Sequence, residues 1–135
     1  HQVVRIKPSK LFLLIGINDL SKGIPEDVVL ENIFLLITEI KKQTPATQIF
    51  VQSILPVNPS FKNFPKDYGL QEQVNTINTQ LSKIEARFGY KYVDLYNQFT
   101  DANGLLRSDL STDGLHLNAA GYAHWVRVLK GKEIL

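Results

Sequence analysis

At 135 residues the chain has the length of one domain, and at 44% hydrophobic and 21% charged it can close a sizeable core. Its net charge of +2 is scattered, not gathered into a basic stripe interleaved with aromatics, which argues against a nucleic-acid partner. The lack of cysteine excludes disulfides, thiolate catalysis and cysteine-bound metal, and no apolar run reaches the roughly 18 residues of a membrane span.

Leu11-Phe12-Leu13-Leu14-Ile15, stopped by Gly16, reads as a strand buried on both faces. Pro25, followed by Glu26 and Asp27, predicts a helix start with proline at the first helical position. Val29, Ile33, Leu36, Ile37 and Ile40 then recur at helical spacing, and Lys41-Lys42 before Pro45 suit its end. Gln48 to Ile54 reads as a second buried strand. Leu55 to Asp67, with its prolines and asparagines, reads as a loop ending in a candidate cap, Asp67. From Tyr68 the stripe Leu70, Val74, Ile77, Leu81, Ile84 and Phe88 predicts one long helix closed by Gly89. Tyr90 to Leu95 is a third strand and Asn97 to Gly114 mostly loop. Asn118 caps a last helix with Tyr122, Val126 and Leu129 on one face.

Strands alternating with amphipathic helices imply parallel pairing through right-handed crossovers, hence an α/β fold built as a three-layer α/β/α sandwich. In such sheets reactive groups gather beyond the carboxyl ends of the strands. Three segments of interest fall there: Gly16 to Asp19, Leu55-Pro56-Val57-Asn58, whose loop could equally line a pocket or simply connect, and Ser111 to His116. Asp113 and His116 share one tight loop, turned by Gly114. A serine nucleophile needs a base titrating near neutrality and a carboxylate to fix that base's tautomer. Gly16-Ile17-Asn18-Asp19 leaves the first strand, where a side-chain amide is a rigid donor for a developing oxyanion. Gly16 permits close approach, and the Asp19 carboxylate could hold the turn by accepting backbone N–H bonds. Taken singly, each segment fits an ordinary turn better than a catalytic role.

Together, Gly-x-Asn-Asp after an apolar strand and Asp-Gly-x-His-x-Asn-x-x-Gly-Tyr before a final helix resemble the SGNH, or GDSL-like, hydrolases over nearly the whole chain. The resemblance implies a flavodoxin-like parallel sheet and Ser–His–Asp hydrolysis of small-molecule esters, with no cofactor. It assigns Asn18 as oxyanion donor, His116 as base and Asp113 as its orienter, with Gly16 and Asp19 in support. It also suggests a small acyl group such as acetyl, with acylated carbohydrates among the candidate substrates.

The chain departs from this pattern in lacking the Gly-Asp-Ser block and a second oxyanion glycine. None of its serines, Ser9, Ser21, Ser53, Ser60, Ser82, Ser108 and Ser111, sits in a Gly-Asp-Ser context, so the nucleophile is unknown. The expectation is therefore a single partial domain lacking its first two strands, inactive alone. Its Leu11–Ile15 strand would be a sticky sheet edge open to self-association. The missing serine also keeps open a non-catalytic ligand-binding domain on the same fold. A flavodoxin-like nucleotide binder is disfavoured because Gly16 to Asp19 has too few glycines for a phosphate loop. His124 reads as a surface or packing residue, and Trp125 with Tyr122 as packing. The three histidines have no metal-binding spacing. The residues do not indicate a compartment.

Overall fold

The computed structural model describes residues 5–64 and 69–135. Three strands, β1 (Lys10–Leu13), β2 (Gln48–Gln52) and β3 (Lys91–Val93), form a parallel sheet in the order β1-β2-β3. Between β1 and β2 run α1 (Ile17–Ser21) and α2 (Glu26–Gln43). Between β2 and β3 run α3 (Leu70–Lys83) and α4 (Glu85–Phe88). Two short 3-10 turns, Tyr96–Phe99 and Ser108–Leu110, lead from β3 to α5 (Ala119–Gly131).

Strand alternation builds the expected layers, since successive side chains face opposite sides of a sheet. Ile49 and Val51 of β2 join one core with Val29, Ile33 and Ile37 of α2 and Val74, Ile77 and Leu81 of α3. Phe50 and, from β3, Val93 turn to the other face and pack with Leu95, Phe99, Leu106, Leu110 and Leu129. Each such burial is worth roughly 1.5–3 kcal/mol against exposure. Phe12 and Phe50 are register partners, and their rings stack at 4.9 Å.

Several local expectations are corrected. Leu11, Phe12 and Leu13 are half-buried instead of buried on both faces, while β1 pairs only with β2 and forms the edge of the described sheet, as the absent upstream strands led one to expect. Leu14 is exposed. Pro25 lies just outside α2, as its N-cap residue. The long helix breaks at Ile84 (φ −113°, ψ 14°), after which Glu85 turns its carboxylate to the Tyr92 N–H at 2.7 Å. That bond helps bring the chain into β3, and Gly89 closes α4 in the left-handed conformation as anticipated. The proposed cap Asp67 lies outside the described residues. On α5 the buried stripe is Gly121 and Leu129 with half-buried Trp125 and Val128, while Tyr122 faces outward. Gly121 sets this rotation, because the helix comes so close to the Leu110 carbonyl that a Cβ there would clash. The Asn118 cap forms as expected, its Oδ1 accepting from the Gly121 N–H at 2.8 Å. His124 packs, its Nε2–H donating to the Gln98 carbonyl at 2.7 Å and its ring meeting the Phe99 ring edge-on. No helix among the described residues is long and apolar enough to cross a membrane.

The loop after β2 is less ordinary than its composition suggests. Residues 53–58 are all buried, so their backbone groups need partners away from water. Amide side chains of α3 supply some of them. Asn78 bonds both the N–H and the carbonyl of Ile54, at 2.7 and 2.8 Å, and Gln71 accepts from the Val57 N–H. A buried connection so anchored is a rigid support for whatever packs on it.

Candidate active site

The carboxyl ends of β1 and β2 and the loop before α5 converge on one spot. His116 Nδ1 lies 2.7 Å from Asp113 Oδ2, and His116 Nε2 lies 2.8 Å from the side-chain oxygen of Asn18, 98 positions away. The Asp113–His116 pair and Asn18, inferred from separate segments, thus form one continuous chain of contacts.

The loop that carries the pair is tightly specified. Asp113 Oδ1 accepts from the backbone N–H groups of Leu115 and His116, at 2.8 and 2.7 Å, leaving Oδ2 to face the imidazole. Ser111 closes the loop from below: its hydroxyl donates to the His116 carbonyl at 2.6 Å and accepts from the Gly114 N–H at 2.9 Å. Gly114 supplies the turn at φ +84°. Burial pushes the Asp113 carboxyl up. The ring of His116, the two backbone N–H groups and the imidazole's charge outweigh that and hold it below the usual carboxylate range. Asp113 is therefore ionised at neutral pH and able to stabilise an imidazolium.

The hydrogen-bond inventory of the imidazole constrains Asn18. With the Nδ1 proton donated to Asp113, a neutral ring presents a lone pair at Nε2 and can only accept, which calls for the Asn18 amide NH₂. A charged ring donates from Nε2, which calls for the amide oxygen. In that orientation the Asn18 NH₂ turns away from the ring, free to donate elsewhere. His116 is half exposed at its side chain and Asp113 about a quarter, at 50% and 24%, so the ring can be reached from outside while its orienter is sheltered.

Asn18 sits in the first turn of α1, fixed by the backbone. Gly16, at φ +117°, begins the turn against Ile54, and its carbonyl accepts from the Leu20 N–H. Ser21 Oγ donates to the Asn18 carbonyl at 2.8 Å. The expected role of the Asp19 carboxylate is not found. Its backbone carbonyl accepts from Lys22 and Ile24, whereas its carboxylate has no hydrogen bond among the described residues.

Beside Asn18 and His116 lies a cavity of about 180 Å³ with a mainly aliphatic wall from Leu14, Ile15, Ile17, Ile54, Leu55 and Leu115, and Tyr122 at its rim. The outward-facing Tyr122 therefore lines the site instead of the core. The serines are engaged elsewhere or remote. The Ser53 hydroxyl is fully buried and accepts from the Leu95 N–H, Ser60 bonds Asn58, and Ser82 bonds the Thr79 carbonyl. No serine hydroxyl among the described residues bonds the His116 ring. Among the described residues no group of three or more His, Cys, Asp or Glu is placed to hold a metal. Asn58, at the hub of the loops behind Gly114, was marked in the sequence only as part of the segment leaving the second strand, with no role of its own.

The model of the GDSL-like lipase/acylhydrolase family matches residues 1–124. Among solved structures, a Streptococcus pneumoniae protein described as a platelet activating factor is 31% identical, with a TM-score of 0.80 over 92% of this chain and 59% of its own. A Bacteroides fragilis protein described as an acylhydrolase is 19% identical, with a TM-score of 0.78 over 98% of this chain and 66% of its own. An acetylxylan esterase from Geobacillus stearothermophilus is 17% identical, with a TM-score of 0.72 over 95% of this chain and 61% of its own. The last two likenesses, at such identities, show the fold alone. The chain spans 59% of the length of the Streptococcus protein. No curated protein matches it.

Proposed function

The chain belongs to the GDSL-like lipase/acylhydrolase family, and from that premise we propose that it carries the acid–base and oxyanion groups of an ester-hydrolysing site. The observation that carries this reading is the contact chain from Asp113 through His116 to Asn18, at 2.7 and 2.8 Å. His116 Nε2 takes the proton from a serine hydroxyl as the oxygen attacks the ester carbonyl. Asp113 keeps the Nδ1 proton in place and stabilises the imidazolium. The Asn18 NH₂, turned from the ring once Nε2 is protonated, donates to the oxyanion. His116 then gives its proton to the departing alcohol, and water repeats the sequence on the acyl-enzyme.

The serine itself is not among the seven in this chain, so the chain alone is inactive in this account. The small aliphatic cavity at the Asn18–His116 junction suits a short acyl group such as acetyl, since drug-sized ligands need roughly 300 Å³ or more. An acylated carbohydrate is a fitting alcohol partner, in keeping with the fold shared with an acetylxylan esterase. One observation favours a second reading, a non-catalytic binding domain: among the described residues no serine hydroxyl bonds the imidazole.

The two readings separate in a protein that unites these residues with the family's Gly-Asp-Ser block. There, Asn18→Ala is expected to lower kcat on p-nitrophenyl acetate by roughly 10²- to 10³-fold, the usual loss for one oxyanion donor. Unchanged turnover in that variant removes Asn18 from the mechanism, and no turnover in the parent protein leaves the binding domain.

A further inference from the structure

We propose that Asn58 is a positioning residue for the Asp113–His116 pair, a role that rests on the acyl-transfer site described above. Asn58 is 3% exposed and lies where three loops meet. Its backbone N–H donates to the Gly114 carbonyl at 2.9 Å, at the centre of the loop between Asp113 and His116. Its side chain uses both halves of the amide. Nδ2 donates to the Leu106 carbonyl at 2.9 Å, and Oδ1 accepts from the Ser60 N–H and hydroxyl at 3.1 and 2.5 Å. The neighbouring Val57 carbonyl accepts from the Leu106 N–H, which doubles the tie between the two loops.

This arrangement accounts for the residue type. An aspartate at 58 keeps the bonds from Ser60 but sets a carboxylate against the Leu106 carbonyl with no proton to share. An alanine leaves the buried Leu106 carbonyl without its donor and frees the exposed Ser60 from its acceptor. A longer amide overshoots Leu106. Asn58 presses so closely on Gly114 that no Cβ fits there. The side chain therefore determines where the Asn58 backbone stands, and that backbone determines where Gly114 stands. Ser111 holds the same loop from its other side through Gly114 and His116. The loop is gripped between Asn58 and Ser111, with Asn63 Nδ2 adding a long bond to the Thr112 carbonyl at 3.4 Å. Loosening the Asn58 side of this grip lets Gly114 drift and opens the Asp113–His116 bond, although Asn58 touches neither side chain.

The test uses the 135-residue chain itself and reads the His116 Nδ1 proton by ¹H–¹⁵N NMR, a signal that a purely stabilising residue would not move. Asn58→Ala is expected to speed solvent exchange of that proton by about tenfold, the size of one lost buried hydrogen bond. Ile37→Ala, which hollows the core under α2, should lower thermal stability while leaving that exchange within about twofold. Should Asn58→Ala fail to fold, Ser60→Ala removes one bond on Oδ1 and should still speed exchange about threefold. Unchanged exchange in the Asn58 and Ser60 variants, or equal acceleration in Ile37→Ala, overturns the proposal. The readout needs no turnover, so a failure of ester hydrolysis would sink the function without touching the grip, and the reverse also holds.

Discussion

His116→Ala should abolish ester turnover, by on the order of 10⁴-fold or more, in a protein that joins this chain to a family Gly-Asp-Ser block. The size of the effect follows from the ring's two contacts. Nδ1 faces Asp113 and Nε2 faces Asn18, so one side chain links the orienting carboxylate to the oxyanion donor. Without it the serine proton has no acceptor, and the ionised Asp113 has nothing to orient. The half-exposed ring contributes little to packing, so the thermal midpoint of the variant should stay within a few degrees of the parent. Loss of rate with stability retained marks a chemical role. The 135-residue chain alone should hydrolyse p-nitrophenyl acetate no faster than its own His116→Ala variant. A clear difference between those two rates would mean that one of the seven serines is a nucleophile after all.

Gly114→Ala should be the most damaging small substitution in the chain, costing roughly 3–5 kcal/mol and lowering the thermal midpoint by about 10–20 °C. Two costs add. At φ +84° any Cβ is strained, and this one would overlap the Asn58 carbonyl oxygen and come within 2.9 Å of Phe64. The first cost alone can be measured at Gly104, where φ is +78° and nothing lies within 4 Å of a Cβ. Gly104→Ala should lose only about 1–2 kcal/mol. Unfolding curves for the two variants separate backbone strain from steric overlap. Equal losses at both positions would show that Asn58 and Gly114 are not in close contact.

The parts of the fold that were legible in the sequence are those set by local pattern. An apolar run stopped by glycine marked β1, short apolar runs marked β2 and β3, and stripes at helical spacing marked α2 and α3. Asn18 and His116 were legible for another reason: each sits in a short motif at a strand exit or helix entry, where α/β sheets collect their chemistry. What was not legible depends on long-range partners. The apolar run at β1 suggested burial on both faces, while the missing upstream block pointed to the edge position that β1 takes in the described sheet. The break at Ile84 depends on Glu85 reaching the Tyr92 N–H. The outward turn of Tyr122 depends on Gly121 meeting the Leu110 carbonyl, since periodicity gives a stripe but not its rotation about the helix axis. The idle Asp19 carboxylate and the central Asn58 show the same limit within the site. One stands in a short helix and the other in a loop, and only the fold decides which partners each side chain meets.

The central claim is that residues 98 apart in sequence meet at one point, with the His116 ring between Asp113 and Asn18. Nuclear Overhauser contacts between the His116 ring protons and the Asn18 side-chain amide, recorded on the 135-residue chain near neutral pH, test it most directly. Cross-peaks from the ring to that amide are the expected result, and Asp113→Asn should weaken them by freeing the ring. A folded chain whose His116 ring shows no contact with Asn18 would contradict the account.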